Sequence, residues 1–370
     1  MGLTNKIKSF LYKNQGVRNS RQFLYALKSL INAKKKLVVF AVPFGDMVNG
    51  GVLSINKIYN TSKKILDSEA NVFLSTMNDS QNFIKFSKFK NDSFIINVNI
   101  VFLYLKLRKI DEIIIHLPEY YFEPFMDGEF KRNLVKFKKA KNIIINVLNQ
   151  KIEEMPGPAV FEKYRNIYGE IFTITAAHKK YATTEFQKKY DVPYHYLSVD
   201  IDESYYPKRS FAEKENLILI SPDLHPNKER IVSMLQKSLP DFEFFTIKNV
   251  TFEQYKQLVA KAKFQITFGE GLDGYFIEPY FCNSIGFAVY NEEFFTEKYL
   301  KLETVYESYE YLENSILSDI LKLNGSENEY VAKWKAGFEV CKTDYNTVNF
   351  LNNLRGYYKK KYKVIDSKEL

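Results

Sequence analysis

The segment Phe268-Gly-Glu-Gly-Leu-Asp-Gly-Tyr-Phe-Ile-Glu-Pro279 decides how this chain folds. It follows an apolar run of strand character at 262–268. Its glycines allow a tight turn, and the residues after them read as the start of a helix. A strand that passes through a glycine-rich turn into a helix is the repeating unit of doubly wound α/β sheets, so we expect that architecture here.

The same alternation continues on both sides of this segment. Short apolar runs are separated by helical or turn-rich stretches, and no internal repeat or low-complexity tract interrupts them. We predict strands at 37–42, 71–75, 111–116, 142–148, 171–175, 217–220, 242–247, 262–268 and 286–290. With 370 residues, the chain is long enough for two α/β domains, and the polar stretch near 198–212 is the expected joint between them.

The net charge of +9 is concentrated at the N-terminus. Nine of the 53 Lys and Arg residues lie within 1–36, where there is no acidic residue, so the remaining basic residues equal the 44 acidic ones in number. No zinc finger or RNP-type aromatic motif accompanies this basic arm, so we do not expect a nucleic-acid partner. Its amphipathic pattern suits either contact with an anionic membrane surface or packing on its own protein.

The remaining composition indicates the compartment. Two cysteines far apart in sequence argue against a disulfide scaffold. The N-terminal residues lack the apolar core and small-residue cleavage site typical of a signal peptide, and no apolar run is long enough to span a membrane, so we expect neither feature. We expect a cytoplasmic protein that is peripheral at the inner face of the membrane if its basic arm binds lipid.

Two carboxylates mark the candidate site in the segment 268–279. Glu270 and Glu278 have seven residues between them, and the glycines let an anion approach backbone amides at the start of the helix. A carboxylate in the turn can hold sugar hydroxyls, and another two helical turns further on can hold a ribose. By spacing alone, the two glutamates could also be a chance surface pair.

This segment resembles the E-x7-E motif of retaining GT-B glycosyltransferases, especially the large family four and its relatives. Two flanking stretches are also similar to that family: 252–262 before the strand, and 280–289 after the helix. The resemblance implies two Rossmann-like doubly wound domains that face each other across a cleft. It covers about 215–295 well and the first half of the chain only in scattered loops.

The resemblance also implies roles in the motif. Glu270 would contact the donor sugar and Glu278 the ribose of the nucleotide. The backbone of Gly271, Leu272, Asp273 and Gly274 would lie near the donor diphosphate. The sequence departs from the family at Asp273, where glycine is usual, and at Tyr275, where proline is usual, so the donor sugar is expected to be unusual.

Four further donor-binding positions follow from the same resemblance. Lys228 matches the family lysine that neutralises the diphosphate, and Arg230 would substitute for the family arginine, which this chain lacks. Gly50 and Gly51 resemble a glycine pair that lets donor phosphate or acceptor approach the backbone. The alternatives are an ordinary exposed lysine at a helix start and an ordinary glycine turn.

Candidates in the first domain are less specific. His116 ends a predicted strand, and relatives have a histidine there that touches the donor sugar; a hydrogen-bonded structural histidine is the alternative. Glu119 and Asp46 are candidate acceptor contacts.

Asp200-Ile-Asp202 spells the D-x-D metal motif of the other glycosyltransferase fold, GT-A, but it lies in the interdomain connection. We therefore expect no metal and no cofactor beyond a nucleotide-sugar co-substrate.

On this basis we divide the chain into four regions. Residues 1–36 form the basic arm, 37–205 the acceptor domain and 206–340 the nucleotide-sugar donor domain. Residues 341–370 form a helical tail that crosses back to the first domain.

The expected activity is transfer of a hexose-type sugar, with retention, from a nucleotide diphosphate to a hydroxyl of a glycan or lipid-linked acceptor in bacterial surface-polysaccharide biosynthesis. Three alternatives stay open: an inverting transferase, a sugar-nucleotide epimerase on the same scaffold, and a non-catalytic glycan-binding partner protein.

Overall fold

A computed structural model describes residues 34–42, 50–77 and 95–366. These residues form two parallel β-sheets, one of seven strands and one of five, each covered by helices on both faces. The expected pair of Rossmann-like doubly wound domains is confirmed.

The first sheet has the strand order β3-β2-β1-β4-β5-β6-β7, and all its strands are parallel. Its strands are β1 (Lys36–Ala41), β2 (Ala70–Thr76), β3 (Ile95–Asn97), β4 (Glu112–Pro118), β5 (Asn142–Asn149), β6 (Phe172–Ala176) and β7 (Tyr194–Tyr196). The central strands are buried on both faces, which explains their nearly continuous apolar sequence. The strand order reverses between β1 and β4, where open α/β sheets bind ligands.

Helices flank this sheet. They are α1 (Gly50–Ile65), α2 (Val98–Leu107), α3 (Phe122–Phe125), α4 (Lys131–Phe137), α5 (Pro158–Tyr168) and α6 (Thr184–Tyr190). The apolar residues of α1 recur at helical spacing and are buried against the sheet, whereas its lysines stay on the outer faces. Pro158 begins α5, where its missing N–H costs no hydrogen bond.

The second sheet has the order β12-β11-β10-β8-β9 and is also parallel throughout. Its strands are β8 (Glu215–Ile220), β9 (Glu243–Thr246), β10 (Ala262–Ile266), β11 (Ile285–Val289) and β12 (Val305–Tyr306). The order reverses between β8 and β10, so the loops after these two strands flank a second switch point.

Five helices belong to the second domain, and all but the first have an N-cap side chain that accepts a hydrogen bond from the first turn. They are α7 (Lys228–Ser238), α8 (Phe252–Lys261), α9 (Gly274–Phe281), α10 (Tyr309–Gly325) and α11 (Glu327–Asp344). Thr251 and Gln254 form a reciprocal capping box at the start of α8, and Asp273 caps α9. None of the helices within the described residues is long and apolar enough to cross a membrane.

The last helix, α12 (Thr347–Tyr358), packs on the first domain. Its apolar side chains join the core between the first sheet and α1. The hydroxyl group of Tyr358 bonds with Ser62 at 2.7 Å, and that of Tyr357 bonds with Thr173 at 3.0 Å. The chain therefore crosses between the domains twice, once near 200 and once just before α12.

Candidate functional site

A cleft between the two domains is lined by the loops that follow strands of both sheets. Its cavity has a volume of 1790 Å³ and is bordered by α1, by the loops after β4, β5 and β6, and by the loops after β8, β9 and β10. Ligand pockets usually measure roughly 300–1,000 Å³, so this interdomain cleft has room for more than one small substrate.

The start of α9 forms the second-domain side of the cleft. Asp273 caps the helix: its Oδ1 accepts a hydrogen bond from the Phe276 amide at 3.1 Å, and its Oδ2 accepts one from Thr267 at 3.0 Å. Burial and, to a smaller extent, the charge of Asp223 raise the pKa of Asp273 to about 8. Asp273, where the sequence analysis noted a departure from glycine, therefore gives the helix a side-chain cap.

Gly271 has a backbone conformation that requires glycine. Its φ is +85°, and a Cβ atom there would lie 2.5 Å from the Phe295 ring and 2.7 Å from the Val289 carbonyl oxygen. Leu272, next in the chain, is buried in the second-domain core. This turn brings Glu270 to the cleft on one side of α9 and leaves Gly274 exposed at its first position.

Glu278 reaches back along α9 into the same cleft. Its Oε1 accepts a hydrogen bond from the Tyr206 hydroxyl group at 2.9 Å. Burial raises its pKa to about 7, although hydrogen bonds from Tyr206 and Tyr255 oppose that rise. The Glu278 carboxylate lies 3.5 Å from the position that a Cβ atom would have at Gly274. Gly274 and Glu278, one helical turn apart, therefore line the same part of the cleft.

Glu270 faces the first domain across the cleft. Burial raises its pKa, the charge of Glu153 adds to that rise, and Lys151 opposes it. Glu153 and Lys151 lie in the loop after β5, so the loops of the two sheets are electrostatically coupled at Glu270. Glu270 and Glu278 thus line one cavity, as a shared donor site requires.

The two predicted diphosphate cations are directed elsewhere. The Lys228 ammonium group donates to the backbone carbonyls of Ser221 and Asp223, the latter at 2.8 Å, and does not line the cleft. Arg230 is exposed and forms an ion pair with Glu313 of α10. The structure does not bring Arg230 to the cleft, because its position two residues after Lys228 directs it to another side of α7, where it pairs with Glu313, and Lys228 braces the loop after β8.

Lys248 is a cation that the sequence reasoning missed. It is exposed in the loop after β9, lines the cleft, and has no ion pair within the described residues. The sequence did offer one signal for Lys248, because it directly follows the predicted strand 242–247.

The expectation that His116 faces the donor is also wrong. This side chain is 1% exposed and lies in the first-domain core under α12. Its Nδ1 bonds with Asn146 at 3.0 Å, its Nε2 bonds with Tyr358 at 3.2 Å, and its ring stacks on Phe40. Burial lowers its pKa to about 3. β4 continues two residues beyond it, so His116 is not at the carboxyl end of the strand.

Glu119 does lie at that end and lines the cleft. It is 4% exposed, accepts a hydrogen bond from the Lys151 amide at 2.8 Å, and has a pKa raised by burial to about 7. Gly50 and Gly51 line the cleft as well, but they form the first turn of α1 and not a loop before it. Asp46 lies outside the described residues.

Gln150 and His178 are the other cleft residues that sequence reasoning did not assign to the site. Each follows a strand of the first sheet by one or two residues, β5 for Gln150 and β6 for His178. Within the described residues, neither Nε2 of Gln150 nor Nδ1 of His178 has a hydrogen-bond partner, although both atoms are buried. Native proteins rarely leave buried polar atoms unsatisfied, so these two atoms can form hydrogen bonds with water or with a ligand in the cleft.

The described residues contain no cluster of metal ligands. In the part of the chain that the structure describes, no group of three or more His, Cys, Asp or Glu side chains is arranged to hold a metal ion. Asp200 of the D-x-D sequence pairs with Lys57 at 2.9 Å, and Asp202 caps a short 3-10 helix.

Comparisons with known proteins support the fold. No model of a known protein family matches the sequence, and no curated protein matches it. Among solved structures, Anabaena HepE in complex with UDP and glucose matches 88% of this chain and 100% of its own, with 10% identity and a TM-score of 0.55. TarM matches 88% and 98% at 11% identity and a TM-score of 0.55, and OtsA matches 90% and 100% at 10% identity and a TM-score of 0.51. The chain therefore has the GT-B fold.

Proposed function

We propose that the protein is a glycosyltransferase that moves a sugar from a nucleotide-diphosphate donor to a hydroxyl group of a glycan or lipid-linked acceptor. The observation that carries this proposal is the convergence of Glu270 and Glu278 on one interdomain cleft of a GT-B fold. A solved neighbour of that fold contains UDP and glucose, which is the ligand class proposed here.

In the proposed donor complex, Glu278 accepts hydrogen bonds from the ribose hydroxyls, and Tyr206 holds the carboxylate in position. The diphosphate lies against the start of α9, where amides and the helix dipole favour an anion. Lys248 is a cleft cation on the second-domain side that can stabilise the departing diphosphate. Glu270 contacts the transferred sugar, on the side that faces the first domain.

We propose transfer with retention and without a metal ion, on the strength of the E-x7-E resemblance. The proposed setting is bacterial surface-polysaccharide assembly in the cytoplasm, with the basic arm 1–36 in contact with anionic lipid. We propose that residues 37–205 bind the acceptor, that residues 206–340 bind the nucleotide-sugar donor, and that residues 341–370 form the tail that returns to the first domain.

Inversion is the second candidate, because the structure contains a suitable base. Glu119 is buried at the cleft, and its pKa of about 7 suits a general base near neutral pH. A base in that position would accept the proton of the attacking hydroxyl group.

Turnover of nucleotide sugars tests the activity. Each donor is incubated with the protein and a mixed pool of glycan acceptors, and products are followed by NMR, which also reports the anomeric configuration. We expect a glycoside with the donor's configuration from wild type, and loss of most of that product with Glu270→Gln. An inverted product would favour Glu119 as base. Interconversion of donor sugars without transfer would indicate an epimerase, and glycan binding without turnover a non-catalytic partner.

A further inference from the structure

Three side chains form the first-domain floor of the cleft. Glu119, Gln150 and His178 follow three neighbouring strands, β4, β5 and β6, and all line the cavity. We call these three residues the floor. They lie opposite the second-domain loop that carries Glu270, which interacts electrostatically with the loop after β5.

His178 presents one unpaired ring nitrogen to the cleft. Its Nδ1 is buried and has no partner within the described residues. Burial lowers the pKa of His178 to about 4, so the ring is neutral near pH 7. Each nitrogen of a neutral imidazole is either an N–H donor or an acceptor, so Nδ1 can form a hydrogen bond with a ligand hydroxyl group in either direction.

Gln150 presents a donor beside it. Its Nε2 is buried and has no partner within the residues described, and the amide group can only donate from that atom. An unpaired ring nitrogen and an unpaired amide donor on adjacent loops match a hydroxyl group, which both donates and accepts hydrogen bonds. The Phe294 ring of the second domain packs edge-on against His178 at 5.4 Å between ring centres, which limits the imidazole's freedom to turn away.

The charges around the floor have one dominant sign. Glu153 and Glu154 raise the pKa of Glu270, and all three carboxylates raise the pKa of Lys151. Glu119 adds a fourth carboxyl group, on the same first-domain wall as the exposed Glu153 and Glu154 and opposite Glu270. The one lysine between them, Lys151, pairs with Glu154 at 3.4 Å. An anionic group placed here would meet like charge from both sides of the cleft, which costs binding free energy.

We propose that the sugar transferred by this protein is uncharged or carries an ammonium group, that Gln150 and His178 bind one of its hydroxyl groups, and that Glu153 and Glu154 exclude sugars bearing a carboxylate. This inference rests on the proposed function and specifies its substrate class. Gln150 and His178 are then contacts of the transferred sugar, and the two glutamates set its specificity by charge.

Matched donor pairs test the charge filter. UDP-glucose is compared with UDP-glucuronic acid, and GDP-mannose with GDP-mannuronic acid, by calorimetric binding to the full chain. For the nucleotide that binds, we expect the neutral donor to bind at least about tenfold more tightly than its uronate. The double variant Glu153→Gln/Glu154→Gln should reduce that ratio several-fold. The exposed pair Glu162→Gln/Glu185→Gln, on α5 and α6, is the matched control and should leave it unchanged.

Deoxygenated donors test the hydroxyl contact. His178→Ala should lower kcat/KM about tenfold with the full donor, and the loss should disappear for one singly deoxygenated donor, because the partner hydroxyl is then absent. Gln150→Ala should behave in the same way with the same donor, and it carries the test if the histidine variant does not fold.

Two outcomes would overturn the inference while leaving the transferase proposal standing. One is a uronate donor that binds as tightly as its neutral counterpart; the other is an effect of both floor variants that is equal for every deoxygenated donor. The free nucleoside diphosphate serves as the separating control. If it fails to bind wild type at all, the transferase proposal itself has failed.

Discussion

Burial changes the ionisation of the carboxyl groups that line the cleft. Glu278 and Glu119 both have pKa values of about 7, well above the ordinary range for glutamate. Each also accepts a hydrogen bond that limits the rise, from Tyr206 in one case and from the Lys151 amide in the other. Both groups therefore change charge close to neutral pH. We expect the charge of Glu278 to affect donor binding and the charge of Glu119 to affect the stability of the fold.

Donor binding should depend on the charge of Glu278. An ionised carboxylate is a stronger acceptor for ribose hydroxyls than a neutral acid, so affinity should fall as pH decreases below about 7. Calorimetric titration of a nucleotide sugar from pH 5.5 to 8.5 measures this, because its phosphodiester groups do not titrate there. Glu278→Gln should bind weakly at every pH, and an unchanged pH profile in that variant would contradict the assignment.

Glu119 should make stability fall as pH rises. The pKa of Glu119 is about 7 in the folded protein, which is above its value in the unfolded chain. At a pH between these two pKa values, the folded protein holds the proton and the unfolded chain has lost it. The stability that protonation of Glu119 contributes is therefore fully present below the unfolded pKa and is lost as the pH rises through about 7. Glu119→Gln should therefore raise Tm more at pH 8.5 than at pH 5 in thermal unfolding. An equal shift at both pH values would show that the charge is not responsible.

At the scale of elements, the turn from β10 into α9 is the part of the site that the sequence defines best. An apolar strand, three glycines and a helix start predict a strand–turn–helix unit, and the structure has one between Ala262 and Phe281. The capping role of Asp273 was not predicted, because a departure from a family residue does not reveal its new hydrogen bonds.

The same comparison explains where sequence reasoning failed. His116 was assigned to the end of a strand, but the end was two residues later, at Pro118. Alternation along β4 then turns the histidine into the core between the sheet and α1. Gln150 and His178 closely follow strands, as Glu270 does, but they lack the glycines and the paired carboxylate that identified Glu270, and their unpaired polar atoms are visible only in three dimensions.

Two glycines of the turn should respond differently to alanine. Gly271→Ala places a methyl group against Phe295 and Val289 at a positive φ, so we expect a loss of about 1–3 kcal/mol in unfolding free energy. Gly274→Ala is the matched control: its added Cβ meets nothing closer than 3.5 Å. Chemical denaturation measures both variants, and equal stability would contradict the backbone geometry described for Gly271.

For the whole molecule, two kinds of sequence signal predicted the architecture. Apolar runs separated by helices indicate parallel, doubly wound sheets, whereas the GT-B arrangement of two such domains was implied by the resemblance of the segment 268–279 to the E-x7-E motif. Short elements such as β3, β7 and β12 were missed, because two or three residues carry no periodic signal. Each of these short strands is held by its pairing with one longer neighbouring strand, which the local sequence does not reveal.

The last helix should stabilise the first domain although it follows the second in sequence. Leu354 is fully buried in the core between α1 and the first sheet, so Leu354→Ala should cost roughly 2–5 kcal/mol. Val348, on the same helix, is 66% exposed, and Val348→Ala should change stability by less than about 0.5 kcal/mol. Urea denaturation of both variants tests this; similar losses would place α12 elsewhere.

The measurement that tests the central claim most directly is a thermal-shift panel of nucleoside diphosphates on wild type and Glu278→Ala. A ligand at about 100-fold over its Kd should stabilise the folded protein by roughly 2.7 kcal/mol. The account predicts that one nucleotide family stabilises wild type and that the variant, although folded, does not respond. A well-folded wild type that no nucleoside diphosphate stabilises would contradict the donor site and with it the proposed transferase.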